Sequence, residues 1–353
     1  MSTLPSGYLI YGANGYTGEL IAREAVVRGQ RPILAGRSAA AVRALAQELG
    51  LESRAFGLDD PAALDAGLRD SRLVLNCAGP FSRTAEPVAS ACLRRGAHYL
   101  DVTGEIPVFE GLARRHAAAQ EAGVMLLPGV GFDVVPSDCL AAHLKRRLPS
   151  ATHLTLAFQA GIGASRGTAT TMVENLDKGG LVRRDGRLAR VPTAWRTRDI
   201  DFGKGPRRAV TIPWGDVSTA FHSTGIPNVE VYMAAPRSLI LTFKLLRPLG
   251  SLLGSRPVQS FLKRRIQSRP PGPSAEQRAR GQARLWGEAR DEAGGRVVSR
   301  LTTPDGYTLT MLTALACVER TLAGQARPGF ATPSLAFSAD FVLEIPGVSR
   351  TDE

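Results

Sequence analysis

Short, almost unbroken apolar runs alternate with longer stretches whose apolar positions recur every three or four residues, and this rhythm spans roughly the first third of the chain. YLIYGA (8–13), PILAGR (32–37), SRAFGL (53–58), RLVLNCAG (72–79), AHYLDV (97–102) and VMLLPGVG (124–131) read as six strands. Between them, TGELIAREAVVRG, SAAAVRALAQELG, PAALDAGL, EPVASACLRRG and ARRHAAAQEAG read as helices. The punctuation agrees: Ser38 suits an N-cap, Pro61 a first helical position, and Gly29 and Gly50 helix ends. Strands that alternate with helices pair in parallel, and nearly continuous apolar runs belong to a sheet covered on both faces. The pattern predicts a doubly wound α/β domain over residues 1–140.

From about residue 150 the rhythm changes. HLTLAFQAG (153–161), RDGRLARV (184–191) and NVEVYMAA (228–235) are strand-like, GTATTMVENLDKGG (167–180) is helix-like, and residues 282–303 alternate on either side of Gly294 and Gly295 as a hairpin would. This predicts an α+β domain over 141–305, with a loop at SRPPGPSAEQ (268–277). The remainder, 306–353, reads as a long closing helix (307–324) and a tail that packs back on the first domain. No internal repeat or low-complexity tract is visible.

Composition narrows the classes. The 353 residues are 44% apolar and 22% charged, ordinary for a globular protein with a sizeable core. Cys77, Cys92, Cys139 and Cys317 form no C-x-x-C pair, and the five histidines show no metal or triad spacing, so no metal site is expected. With no basic leader before the first strand, a reducing, cytoplasmic setting is expected. The net charge of +12 is local: residues 181–290 hold 21 Lys and Arg against 7 Asp and Glu. Such a region fits an anionic lipid, an acidic carrier protein or nucleic acid, and equally a solvated basic face. No nucleic-acid-binding fold signature accompanies it, so no nucleic-acid partner is expected.

The first strand runs into Gly12, Gly15 and Gly18 and then a helix. Glycines there permit a tight turn, let a diphosphate approach the backbone, and let the helix pack against the strand, with helix N–H groups facing the anion. The spacing G-x-x-G-x-x-G is one residue longer at the front than the usual form, and a structural strand–helix turn is the alternative. An NAD site places an acid at the end of the second strand; here Arg37 stands there, which suits the 2′-phosphate of NADP. The fourth strand ends in NCAGPF (76–81), where small Ala78 and Gly79 would let a nicotinamide pass and Pro80 would fix the turn.

Reduction of a double bond needs a proton donor beside the hydride source. Tyr99, Asp101 and Glu105 in HYLDVTGE and Asp133 in GFDVVPSD qualify by position, while a capping or packing role is the plainer reading of each. Ser165, Arg166 and Thr168 could hold a substrate carbonyl, a thioester or a cofactor phosphate, or cap a helix. The segment 238–266 is apolar with interspersed cations and too short to span a bilayer. It reads as a core helix, a dimer face, a membrane-surface helix or a docking face for an acidic acyl carrier.

GANGYTG, LAGRS, NCAGPF, HYLDVTGE and GVGFDVVPSD, in that order, resemble the saccharopine dehydrogenase-like oxidoreductases, most closely the branch of the trans-acting enoyl reductases. ASRGTATTMVEN and the stretch 296–322 extend the likeness over nearly the whole chain. The resemblance implies a Rossmann domain followed by an α/β domain that contributes to a substrate cleft and to a homodimer. It maps Gly12, Ala13, Asn14, Gly15, Tyr16, Thr17, Gly18 and Arg37 to the NADP turn. Asn76, Ala78, Gly79 and Pro80 map to the nicotinamide side. Saccharopine-forming enzymes carry an acidic and histidine-containing motif after the sixth strand; here Val134 follows Asp133. The expected function is NADP-dependent reduction of a C=C bond in a lipid-like or carrier-bound acyl substrate. A saccharopine-type imine reductase acting on an amino or keto acid and a non-catalytic NADPH-binding lipid-surface protein are the alternatives.

Overall fold

The computed structural model describes residues 7–159, 165–174, 177–249 and 253–353. The chain divides into two compact units, Met1–Asp133 with Leu309–Phe337, and Val134–Thr308 with Ser338–Glu353. The stretch read as one C-terminal tail is thus shared between them.

The first unit is built on β1 (Tyr8–Tyr11), β2 (Ile33–Gly36), β3 (Ser53–Ala55), β4 (Leu73–Asn76), β5 (His98–Asp101) and β6 (Met125–Leu127). Every residue of β1, β2 and β4 is buried, as expected of strands covered on both faces. A seventh, late strand, β15 (Gly329–Phe330), pairs with β6. The sheet is parallel throughout, in the order β15-β6-β5-β4-β1-β2-β3. The chain therefore leaves β1 toward β2 and β3, then returns to lay β4 on the other side of β1, with Tyr11 opposite Asn76. That reversal opens a crevice at the carboxyl ends of β1 and β4, where open α/β sheets bind ligands.

The helix signals hold. Ser38 caps the helix Ala39–Leu49 through its side chain, and Gly50 ends it at a left-handed φ of 65°. Pro61 sits in the first turn of Pro61–Gly67 behind an Asp60 cap. Of the helix expected over 113–123, His116–Glu121 forms, and a separate helix, Ile106–Ala113, precedes it across Arg114 and Arg115.

In the second unit, β7 (His153–Gln159), β8 (Gly180–Arg184), β9 (Arg187–Val191), β10 (Thr197–Asp201), β11 (Pro206–Thr211), β12 (Asn228–Ala234), β13 (Gln282–Arg290), β14 (Arg296–Pro304) and β16 (Ser349–Asp352) form one sheet. Its main path runs β10-β11-β12-β7-β13-β14-β16; only β12 and β7 pair in parallel. The hairpin read around Gly294 is β13–β14, closed by Arg290 opposite Arg296. One face carries the helix Val135–Arg147, against which Gly287 packs so closely that a Cβ would stand 2.6 Å from Leu144 Cδ1. The other face curls over itself: Arg198 of β10 makes paired hydrogen bonds to Glu288 of β13, and Arg300 of β14 donates to the Asp201 carbonyl. Ala157, Ile200, Phe202, Ala209, Tyr232, Trp286 and Val298 fill the fold so formed.

The loop read over 268–277 closes early, because Ser274 and Gln277 form a capping box that starts the helix Ala275–Arg280. The end of HLTLAFQAG at 160–161, positions 175–176 of the helix-like stretch and 250–252 of the apolar segment lie outside the described residues.

Candidate functional site

The glycine turn is where the first unit concentrates its close approaches. Gly12 adopts φ +79°, and its amide and that of Ala13 both donate to the Ala35 carbonyl of β2, at 2.8 and 3.1 Å. A Cβ on Gly12 would stand 2.7 Å from Ala78 N, so the loops after β1 and β4 meet backbone to backbone. A Cβ on Gly18 would collide with the Gly12 carbonyl, which is the helix–strand contact the spacing predicts. Gly15 is the N-cap of the helix Tyr16–Val27 and supplies no side chain to fill its end. Asn14 and Gly15 are exposed at the rim, Gly12, Tyr16 and Thr17 half-buried, Ala13 and Gly18 buried. An open helix N-terminus at the sheet crevice, bordered by glycine backbone, fits a dinucleotide diphosphate.

Arg37 follows β2 directly, is exposed, and makes no hydrogen bond or ion pair among the described residues. The preceding Gly36, which sequence reasoning passed over, leaves room for Asn14: a Cβ there would lie 3.0 Å from Asn14 Oδ1. Its only signal was a glycine inside LAGRS.

The loop after β4 is held from within. Asn76, fully buried, accepts from Ala78 N at 3.0 Å and donates to Thr84 Oγ1 and Tyr99 Oη, while Thr84 donates to the Ala78 carbonyl. Ala78 and Pro80 are half-buried and Gly79 exposed, with a cis peptide joining Gly79 to Pro80. Glu105 then caps the next helix by accepting from Phe81 N and Ser82 N, at 2.8 and 3.0 Å.

Three carboxyl-bearing candidates differ sharply. Asp101 is fully buried and accepts from Tyr99 Oη (2.7 Å), Thr103 N (3.0 Å) and Gly129 N (2.9 Å). Burial lifts its pKa to about 6 even though those hydrogen bonds favour the charged form. Tyr99 is equally buried, and burial and the neighbouring Asp101 carry its hydroxyl well above the ordinary tyrosine range. Tyr99, Asp101 and Asn76 therefore make a closed brace beneath the loops. Glu105 is occupied as a helix cap.

Asp133 is the exception. Half-buried at the end of the loop after β6, it makes no hydrogen bond or ion pair among the described residues, and burial alone lifts it to about 7. Its carboxylate lies against the loop after β5, where a Cβ on Gly104 would stand 2.7 Å from Asp133 Oδ2. The loop that carries it is fixed by Phe132 N donating to Thr310 Oγ1 and Thr313 Oγ1 donating to the Val130 carbonyl. A carboxyl with that pKa is about half protonated at neutral pH and can serve as a general acid.

In the second unit, Ser165 Oγ accepts from Thr168 N and lies 3.1 Å from Thr168 Oγ1. Tyr307 joins them, accepting from Ser165 N at 2.6 Å and approaching Thr168 Oγ1 at 3.2 Å. Arg166 is turned aside, its Nε donating to the Arg269 carbonyl. Tyr307 was missed because it lies some 140 residues from its partners. Of the segment 238–266, the described part forms the helix Arg237–Leu245, a 3-10 turn at Arg247–Leu249 and the helix Arg256–Gln267. Among its described apolar side chains, only Ile240 and Ile266 are buried. Among the described residues no helix is long and apolar enough to cross a membrane.

Comparison with known proteins agrees with this geometry. Residues 8–127 match the family described as saccharopine dehydrogenase NADP binding domain. Over 164 residues, 41% of this chain, the sequence is 34% identical to a saccharopine dehydrogenase-like oxidoreductase of Mus musculus, covering 38% of that protein. Over 216 residues, 56% of this chain, it is 29% identical to a trans-acting enoyl reductase of Mycobacterium ulcerans, covering 52% of that one. The chain thus spans about half or less of the length of these relatives. Among solved structures, an apo saccharopine dehydrogenase (L-Glu forming) from Saccharomyces cerevisiae matches 99% of this chain and 100% of its own, with a TM-score of 0.67 at 12% identity. That likeness shows the fold. The resemblance read from the motifs is matched over residues 8–127 by the saccharopine dehydrogenase NADP binding domain model.

Proposed function

We propose that this chain, an oxidoreductase by its NADP-binding domain, reduces a C=C bond of a lipid-like acyl substrate, and that Asp133 provides the proton. The observation that carries this reading is the contrast among the carboxyls at one sheet edge. Asp101 is locked in a buried brace and Glu105 caps a helix, while Asp133 is half-buried, without a hydrogen-bond partner among the described residues, and poised at about 7.

Bound NADPH would supply the hydride. Gly12, Gly15 and the N-terminus of Tyr16–Val27 would hold its diphosphate, and Arg37 would take the 2′-phosphate. Ala78, Gly79 and Pro80 border the nicotinamide half. Tyr99, Asp101 and Asn76 are positioning residues that hold the loops after β4, β5 and β6 in register. Asp133 keeps its proton because Gly104 and its apolar neighbours Phe132 and Val134 leave its charge poorly solvated. It would give that proton to the substrate carbon next to the carbonyl. Within the second unit, the hydroxyls of Ser165, Thr168 and Tyr307 lie together and are proposed to hold a polar group.

Two features favour an acyl substrate over an amino acid: the apolar residues flanking Asp133, and the trans-acting enoyl reductase name carried by the M. ulcerans relative. The test is NADPH oxidation with an α,β-unsaturated acyl thioester, compared with a keto acid plus an amino acid. Oxidation with the thioester supports the reading; oxidation only with the second mixture makes this an imine reductase. Tight NADPH binding with neither reaction leaves a non-catalytic binder.

A further inference from the structure

The helices Arg237–Leu245 and Arg256–Gln267 each carry exposed apolar side chains beside cations. On the first, Ile240 and Phe243 turn inward onto Ala194, Val210 and Ala235. The helical period then puts Leu241 and Leu245 on the outer side, where they are 57% and 68% exposed, with Arg237 and Lys244 on the same side. On the second helix Ile266 is buried, and Phe261, 61% exposed, stands within one turn of exposed Arg264 and Arg265.

The charge around these side chains is one-sided. From Val231 to Ala275 the chain holds eight Lys and Arg and no Asp or Glu. Lys263 pairs with Glu174, and Arg247 donates to the carbonyls of Thr193 and Ala194. Arg237, Lys244, Arg256, Arg264 and Arg265 make no side-chain hydrogen bond or ion pair among the described residues. A single exposed leucine is ordinary. Three large apolar side chains, each within a turn of unpaired cations, need a partner that takes both chemistries; Glu174, beside the second helix, is engaged by Lys263.

We propose that the exposed sides of these two helices dock on an anionic phospholipid bilayer. Leu241, Leu245 and Phe261 enter the headgroup layer, the unpaired cations meet lipid phosphates, and their aliphatic stems lie along the acyl boundary. An acidic protein surface would match the cations and leave the leucines and Phe261 without a matching apolar surface. The proposal goes beyond the reductase reading and does not depend on it.

The test is flotation of the full chain with vesicles of phosphatidylcholine alone and of phosphatidylcholine mixed with phosphatidylglycerol, at low and physiological salt. Binding is expected only to the mixed vesicles. The triple variant Leu241→Ser/Leu245→Ser/Phe261→Ser and the charge variant Arg264→Glu/Arg265→Glu should each bind roughly tenfold more weakly. Thermal midpoint and NADPH affinity should stay unchanged in both, separating this outcome from a failure of the cofactor reading. No flotation with mixed vesicles at low salt overturns the proposal. So does full binding by the triple variant, which would leave charge attraction alone, and so does capture by an acidic acyl carrier without vesicle binding.

Discussion

The carboxylate of Asp133 is held against the backbone of Gly104, closely enough that a methyl group on Gly104 would stand 2.7 Å from Asp133 Oδ2. The two residues belong to the loops after β6 and β5, so their contact places an unpaired acid over the carboxyl edge of the parallel sheet. Gly104→Ala must push that carboxyl aside. The expected result is turnover lowered by roughly tenfold or more, since small misplacements of a reacting group are costly. NADPH affinity should be unchanged. Steady-state rates with fluorescence titration of NADPH check both.

The same acid sets a pH dependence. A general acid acts when protonated, and Asp133 is raised to about 7 by burial. kcat/KM is therefore expected to be level below that pH and to fall about tenfold per unit above it. A pH–rate profile that stays flat through pH 8 would remove Asp133 from the step.

A raised pKa also costs stability. Because the folded state binds the Asp133 proton more tightly than the unfolded state does, its contribution is favourable below pH 4 and lost as pH rises through 7. Asp133→Asn is expected to stabilise the protein at pH 8 by about 1–3 kcal/mol, discounted for partial exposure. Urea unfolding of the two proteins at pH 8 reads this directly, and a destabilised Asn variant would contradict it.

Glu288 gives the opposite sign. Burial opposes its ionisation, but hydrogen bonds from Arg198, Arg290 and Arg296 outweigh burial and hold it down at about 2. Its contribution is present above about pH 4.5 and lost as pH falls through 2. Glu288→Gln is expected to cost ~2–3 kcal/mol at pH 7 and to leave the second unit less sensitive to acid. Thermal scans at pH 7 and pH 3 test it.

Much of this was readable in the chain because it is local. The turn Gly12–Gly18, the Ser38 cap, the Gly50 stop and Arg37 after β2 each depend on a few neighbouring residues, and each falls where the pattern put it. The helix Val135–Arg147 has no side-chain cap at its start, and little besides Pro136 in its first turn marks it. β15 has two residues, too few to show any period; only its pairing with Met125 and Leu126 makes it a strand. The contact of Asp133 with Gly104, the bond from Gly129 to Asp101, and the curl that joins Arg198 to Glu288 link residues about thirty to ninety positions apart. No local pattern encodes them.

Arg37 divides the cofactors. With its guanidinium exposed and uncommitted, Arg37→Ser is expected to weaken NADPH binding by about tenfold or more and leave NADH binding within twofold, as loss of a phosphate contact should. Equal loss for both would place Arg37 away from the 2′-phosphate.

The most direct test is single-turnover oxidation of NADPH by the wild-type protein and by Asp133→Asn, with an α,β-unsaturated acyl thioester at pH 6. The expected result is an unchanged NADPH dissociation constant with oxidation slowed by about a hundredfold or more. Oxidation at the wild-type rate in the Asn variant would contradict the assignment of Asp133 as the proton donor.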